Sequence, residues 1–201
     1  MKSRRSAREA ALQALYQSDV LDDWSESTIE QFFVHFLGER AALEGESSTE
    51  QTTDGVTVES EGVDSERLGP KRTEALQCST QNPEAIEIDA ACLDANQQFA
   101  HQLAHGVAKN LAEIDAHLNS ASTHWSVTRM ARVDRNILRL ATYEMAFLFD
   151  IPCSVSINEG IEVSKRFGGP ESPHFINGVL DRVAHDFTDR RPGIVQKKVV
   201  N

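Results

Sequence analysis

Residues 151–181, IPCSVSINEGIEVSKRFGGPESPHFINGVLD, read as a helix, a stop and a second helix. Pro152 disfavours helical geometry at Ile151, so whatever helix precedes it ends there. Val155, Ile157, Ile161 and Val163 begin the next helix, which runs to Phe167. Gly168-Gly169-Pro170 halts it. Ser172 is placed to cap the last helix, with Pro173 in the tolerated first turn. Phe175, Ile176, Val179, Leu180, Val183, Ala184 and Phe187 supply its core face.

The same period extends upstream. Phe99, Leu103, Val107, Leu111, Ile114 and Leu118 predict one long helix from about Ala90 to Leu118, with Gly106 on its packed face. Residues 129–149 are apolar on most sides and predict a central helix, with Arg132, Arg135 and Arg139 along a solvated edge. Ala7, Ala10, Ala11, Ala14 and Leu15 predict a helix over residues 4–20. A further helix is expected from Ser25 to Leu43, capped by Ser25 and buried through Ile29, Phe32, Phe33, Phe36 and Leu37. Strand alternation and internal repeats are not apparent. The fold class is all-α, and the short connections imply antiparallel packing.

Charge divides the chain. The 201 residues carry a net −11, but residues 20–95 hold four bases against eighteen acids. Neither Phe, Trp nor Tyr occurs from Leu37 to Gln98. Such a stretch buries too little apolar surface to offset chain entropy, so residues 44–88 are expected to be a disordered acidic insertion. Residues 1–43 and 89–187 then make up one helical domain, and 188–201 a basic flexible tail. The insertion either competes weakly with nucleic acid for nearby arginines or is an inert spacer. Deleting it separates the two, since only competition predicts tighter binding of arbitrary RNA.

The longest run of large apolar residues, Met145 to Phe149, is far short of the roughly 20 that a membrane helix needs. The N-terminus lacks the apolar core of a signal peptide. Cys78, Cys92 and Cys153 are odd in number and without a CxxC, which fits a reducing cytoplasm.

Catalytic signals are weak. His101 and His105 share a helix face, but without the HExxH glutamate or a third ligand they read as surface histidines, and no metal is expected. Cys153 lacks a partner base. The FGGPESPHF turn lacks the lysine of a nucleotide loop. No cofactor is implied. The start, MKSRRSAR, differs in kind: it puts Lys2, Arg4, Arg5 and Arg8 at the beginning of a helix, where the dipole disfavours cations. They read either as a solubilising tail or as a set able to meet phosphates together.

RRSAREAALQALYQ, ARVDRNILRLATYE and the 151–181 block together resemble the NusB family, over residues 2–20 and about 97–187. The resemblance implies an all-helical fold of two small subdomains packed together. It implies a cytoplasmic, non-enzymatic protein that binds boxA, a single-stranded signal of ribosomal RNA leaders. It further implies pairing with NusE, a ribosomal small-subunit protein, and suppression of premature termination by RNA polymerase. Monomer and homodimer are both left open. By the same resemblance Lys2, Arg4, Arg5, Arg8, Lys165, Phe167, Glu171 and Phe175 face RNA, and Tyr16 and Asp134 face NusE. Glu171, Pro173 and His174 depart from the Asp and basic residue usual in the family.

Phe167 ends one helix and Phe175 opens the next, a position that suits half-exposed rings for base stacking, though either ring can equally be core. Tyr16 likewise can be core with its hydroxyl at the surface. Two other classes remain: a helical protein-binding scaffold, and the accessory region of an RNA cytosine methyltransferase. The second needs a glycine-rich cofactor loop and a catalytic cysteine, which these residues do not supply.

Overall fold

The computed structural model describes residues 3–46, 93–122 and 125–188, with side chains described over 3–36, 93–122 and 125–187. Seven α-helices occur among them: α1 (Arg4–Leu21), α2 (Glu26–Glu46), α3 (Ala95–Lys109), α4 (Leu111–Ala121), α5 (Arg132–Phe147), α6 (Cys153–Phe167) and α7 (Ser172–Thr188). A 3-10 turn, Val127–Arg129, precedes α5. The described residues contain no strand, and none of their helices is long and apolar enough to cross a membrane. Most of the predicted insertion 44–88, and residues 189–201 of the predicted tail, lie outside the described residues; Glu44 to Glu46 close α2.

The chain forms two compact units, Met1–Ile29 with Leu93–Asn201, and Glu30–Cys92. In the second, Phe32 stacks on Phe36 and meets Phe33 edge-on, each pair with centroids 5.4 Å apart.

In the first unit α5 is central and touches α1, α3, α4, α6 and α7. Its Leu138 and Met145 are fully buried, with Leu15, Leu103, Ile114, Leu118, Ile176 and Leu180 around them. Each such side chain contributes about 1.5–3 kcal/mol of transfer free energy. The alanines of α1 let its backbone lie close to α3, where Ala100, Leu103, Ala104 and Val107 are buried.

Several sequence expectations are corrected. The long helix predicted over 90–118 is two helices. Asp94 starts α3 with a capping box: its carboxylate accepts from the Asn96 and Gln97 N–H groups, while the Gln97 side chain accepts from the Asp94 N–H. At Asn110 the side-chain amide donates to the Gly106 carbonyl at 2.8 Å, φ opens to −111°, and α4 begins one residue later. The helix predicted over 129–149 starts three residues later, because Met130 and Ala131 are extended, and ends at Phe147. Of the four aliphatics expected in α6, only Val163 is buried, Ile157 and Ile161 are half-buried and Val155 is exposed; the small Ser156, Gly160 and Ser164 complete the buried face. These small side chains set α6 close against α5 and α7. His101 and His105 are half-buried, with rings 4.2 Å apart, rather than surface residues.

Gly106 carries the close approach predicted for it. A Cβ there would fall within the Tyr143 ring, which rests on the glycine backbone. Burial raises the Tyr143 pKa above its ordinary value.

Arg132, Arg135 and Arg139 do not form a solvated edge. Only Arg132 is exposed. Arg135 and Arg139 hold Asp19 of α1, at 2.6 and 3.2 Å, and Arg139 also forks onto Asp115 of α4 at 2.8 and 2.7 Å. Trp24 covers the Arg139 guanidinium, 5.0 Å from its ring centroid. Burial works against the Arg139 cation, but Asp115 and Asp19 more than offset it and raise its pKa. The apolar period of α5 was legible from sequence; the long-range acids that neutralise its arginines were not.

Candidate nucleic-acid interface

Ser3 caps α1, its hydroxyl accepting from the Ser6 N–H at 3.1 Å. The three arginines that follow have different surroundings. Arg4 is exposed, its guanidinium 5.0 Å from the Phe99 ring centroid. Arg5 is half-exposed and forks onto Glu159 of α6, Nε to Oε2 at 3.0 Å and Nη2 to Oε1 at 2.8 Å. Its Nη1 lies 3.8 Å from Glu162. Arg8 is buried: Nε donates to Glu144 Oε1 at 2.7 Å and Nη2 to Oε2 at 3.1 Å, and the Ser156 hydroxyl donates to the same carboxylate at 2.7 Å. The Glu144 side chain has no exposed surface.

This arrangement explains the cations at an unfavourable helix end. The dipole penalty of a few tenths of a kcal/mol is outweighed by carboxylates that α5 and α6 bring alongside. It also corrects the expectation that four cations meet phosphates as one set. Arg8 is spent inside the fold, and Lys2 lies outside the described residues. The hydrogen bond from Arg5 is the main cause that holds the Glu159 pKa below its ordinary value, and the same bond raises that of Arg5.

Arg5 pairs with Glu159 and, one turn on, Glu9 pairs with Arg166 at 2.5 Å. The helices α1 and α6 therefore run side by side in the same direction. An open groove of about 550 Å³ lies where both begin, lined by Ser3, Arg4, Arg5, Ile151, Pro152 and Val155.

At the far end of α6, Lys165 is exposed and pairs with Glu162 at 2.6 Å. Phe167 is half-buried, with the Arg166 guanidinium 5.2 Å from its centroid. Gly168 makes the turn tight: a Cβ there would sit 2.6 Å from the Ser172 Cβ. Ser172 was expected to cap α7, but its hydroxyl turns back and accepts from the Gly169 N–H at 2.9 Å. The Glu171 carbonyl accepts the first helical bond instead, from Phe175 at 3.1 Å. Phe175 is half-buried, like Phe167, and Glu171 is exposed. Eight residues separate Glu159 from Phe167, about 12 Å along the helix. The predicted RNA residues thus fall into two groups joined by the α1–α6 seam.

Tyr16 is exposed on α1, and Val20, one turn later, is 47% exposed. Asp134 is half-buried in the first turn of α5, where its charge complements the dipole. The Asp19 clasp joins these two helices next to both residues. Sequence reasoning passed over Glu9, Glu159 and Arg166. Their signal was faint: acids at Glu159 and Glu162 stand three residues apart on the helix that ends in Lys165-Arg166.

Residues 68–185 match the sequence profile of the NusB family. The transcription antitermination protein NusB of Geobacter sp. (strain M21) is 36% identical over 190 residues, covering 94% of this chain and 99% of the relative. The protein of that name from Geotalea uraniireducens (strain Rf4) is 37% identical with the same coverage. Among solved structures, T. maritima NusB superposes with a TM-score of 0.59 at 29% identity, covering 95% of this chain and 98% of that one. A chain of the crystal structure of antitermination factors NusB and NusE in complex with dsRNA superposes with a TM-score of 0.57 at 16% identity, over 93% of this chain and 99% of that one; at that identity the likeness is one of fold.

Proposed function

Since this chain belongs to the NusB family, we propose that it is an RNA-binding transcription antitermination factor and not an enzyme. It takes boxA-type single-stranded RNA from ribosomal RNA leaders, pairs with NusE, and suppresses premature termination by RNA polymerase. The observation that carries this reading is the α1–α6 seam, with Arg4 and Arg5 at one end and, at the other, the half-buried rings of Phe167, which ends α6, and Phe175, which opens α7. Guanidinium groups hold phosphates, and each base stacked on an aromatic ring contributes about 1–3 kcal/mol. The solved assembly of NusB and NusE with dsRNA supports RNA and NusE as the classes of partner. On this reading Lys165 and Glu171 flank the rings, and Tyr16 and Asp134 face NusE.

A gel shift with a ribosomal leader RNA, with and without NusE, tests it. Binding is expected, strengthened by NusE. Arg4→Ala with Arg5→Ala lowers RNA affinity and flattens its salt dependence while leaving NusE binding intact. A protein-binding scaffold predicts the opposite, with NusE bound and the leader RNA ignored in every salt condition.

A further inference from the structure

Arg5, Arg166 and Lys165, three cations of the α1–α6 seam, are already answered by carboxylates. Glu159 takes the Nε–Nη2 edge of Arg5, at 3.0 and 2.8 Å. Glu9 takes Arg166 and Glu162 takes Lys165. The Nε–Nη2 edge is the fork that suits a bidentate phosphate. A phosphate at Arg5 must therefore displace Glu159 or settle for the remaining edge, which faces Glu162 at 3.8 Å. Arg5 is about half exposed, while Glu159 is 19% exposed and also faces Arg8 Nη1 at 3.7 Å; with the cation side open to water, the Arg5–Glu159 pair is weak enough to be exchanged.

We infer, resting on the RNA-binding reading, that Glu159 is a specificity-determining residue: its carboxylate competes with backbone phosphate for Arg5, so a strand is retained only when base contacts elsewhere on the face add to its binding. Glu159 acts against the sequence-independent part of the affinity, the part that any polyanion supplies. A residue that merely aimed Arg5 at the groove would act in the opposite direction, because its loss would weaken all RNA.

The test measures binding of a boxA-type leader RNA and of oligouridine of equal length across a salt titration. The proteins are wild type, Glu159→Gln, Arg5→Ala and the double variant, each checked by thermal unfolding. Glu159→Gln should tighten oligouridine binding by about two- to fivefold, the value of an exposed ion pair. It should steepen the slope of log K on log salt by about 0.7, one single-strand phosphate contact, and should tighten leader binding less. In the Arg5→Ala background the substitution should do nothing. Equal tightening for both RNAs, weaker binding of either, or an effect that survives Arg5→Ala would overturn the inference. If Glu159→Gln does not fold, Glu159→Asp, which keeps the charge but draws the carboxylate back from Arg5, carries the test, and no gain on oligouridine overturns the inference. Wild-type protein that ignores the leader RNA, with and without NusE, sinks the RNA-binding reading and this inference together. Wild type that binds beside an unchanged Glu159→Gln sinks this inference alone.

Discussion

Arg8→Ala should be a folding variant, although its position in a basic N-terminal cluster makes it look like an RNA-binding one. Glu144 is fully buried, and Arg8 supplies two of its three hydrogen bonds, at 2.7 and 3.1 Å. Truncating Arg8 leaves a carboxylate in the core with only the Ser156 hydroxyl, at 2.7 Å. Breaking a buried pair in this way costs about 3–5 kcal/mol. The cation also lies 5.4 Å from the Phe99 ring centroid, so packing is lost with the charge. For a domain with a total stability of about 5–15 kcal/mol, the loss is a large fraction of the whole. At roughly 2–4 °C per kcal/mol for a chain of this size, Tm should fall by about 6–20 °C. Thermal and urea unfolding measure it, with Arg4→Ala as the exposed control, expected within about 0.5 kcal/mol of wild type. Replacing both partners, Arg8→Met with Glu144→Leu, should recover most of the loss, because no charge is then stranded. An Arg8→Ala protein that unfolds within a degree or two of wild type refutes the reasoning, and so does a double variant no better than the single.

Gly106→Ala should destabilise by about 1–3 kcal/mol despite the better helix propensity of alanine, since the Tyr143 ring occupies the space a Cβ needs. Gly178→Ala, with nothing within 4 Å of its Cβ, should instead stabilise by about 0.4–1 kcal/mol; opposite signs in denaturant midpoints check the pair. Asp19→Ala strips Arg135 of its carboxylate while Arg139 keeps its Asp115 fork, and should cost about 3 kcal/mol by urea unfolding, whereas a loss below about 1 kcal/mol would show that the clasp contributes little. Phe167→Ala should lower leader-RNA affinity by about 1–3 kcal/mol in an anisotropy titration while Tm stays near wild type. Glu159 titrates below its ordinary 4.5, so its contribution to stability is fully present above that pH and is lost as pH falls through the lower folded value. Acid unfolding of Glu159→Gln should therefore show a shallower loss below about pH 4 than wild type.

Local sequence carried the helices well and their joints poorly. The spacing of Phe99, Leu103, Val107, Leu111, Ile114 and Leu118 identified one face, and all of these side chains are buried except Leu111, which is half-buried at the start of α4. It did not reveal the break at Asn110, because an apolar period runs through a kink unchanged while one side-chain amide turns the backbone. The Asp94–Gln97 box was readable as a helix start and marks it better than composition does. The candidate interface was legible as residue types. Its electrostatics were not, because Arg5 meets Glu159, Arg8 meets Glu144 and Asp19 meets Arg135 across more than a hundred residues of chain. No window of sequence contains both halves of those pairs, so fixed structural cations could not be told from available ones.

The helices α1 and α5 are joined by two ion clamps, Arg8–Glu144 and Asp19–Arg135, set eleven residues apart on α1. That spacing is about 16 Å. Sliding α1 by one turn, about 5.4 Å, would open both clamps at once and strand their buried members. Ratcheting between registers is thereby closed to this helix pair. A signal passing from one end of α1 to the other must travel as rigid-body tilt or through the connecting loops.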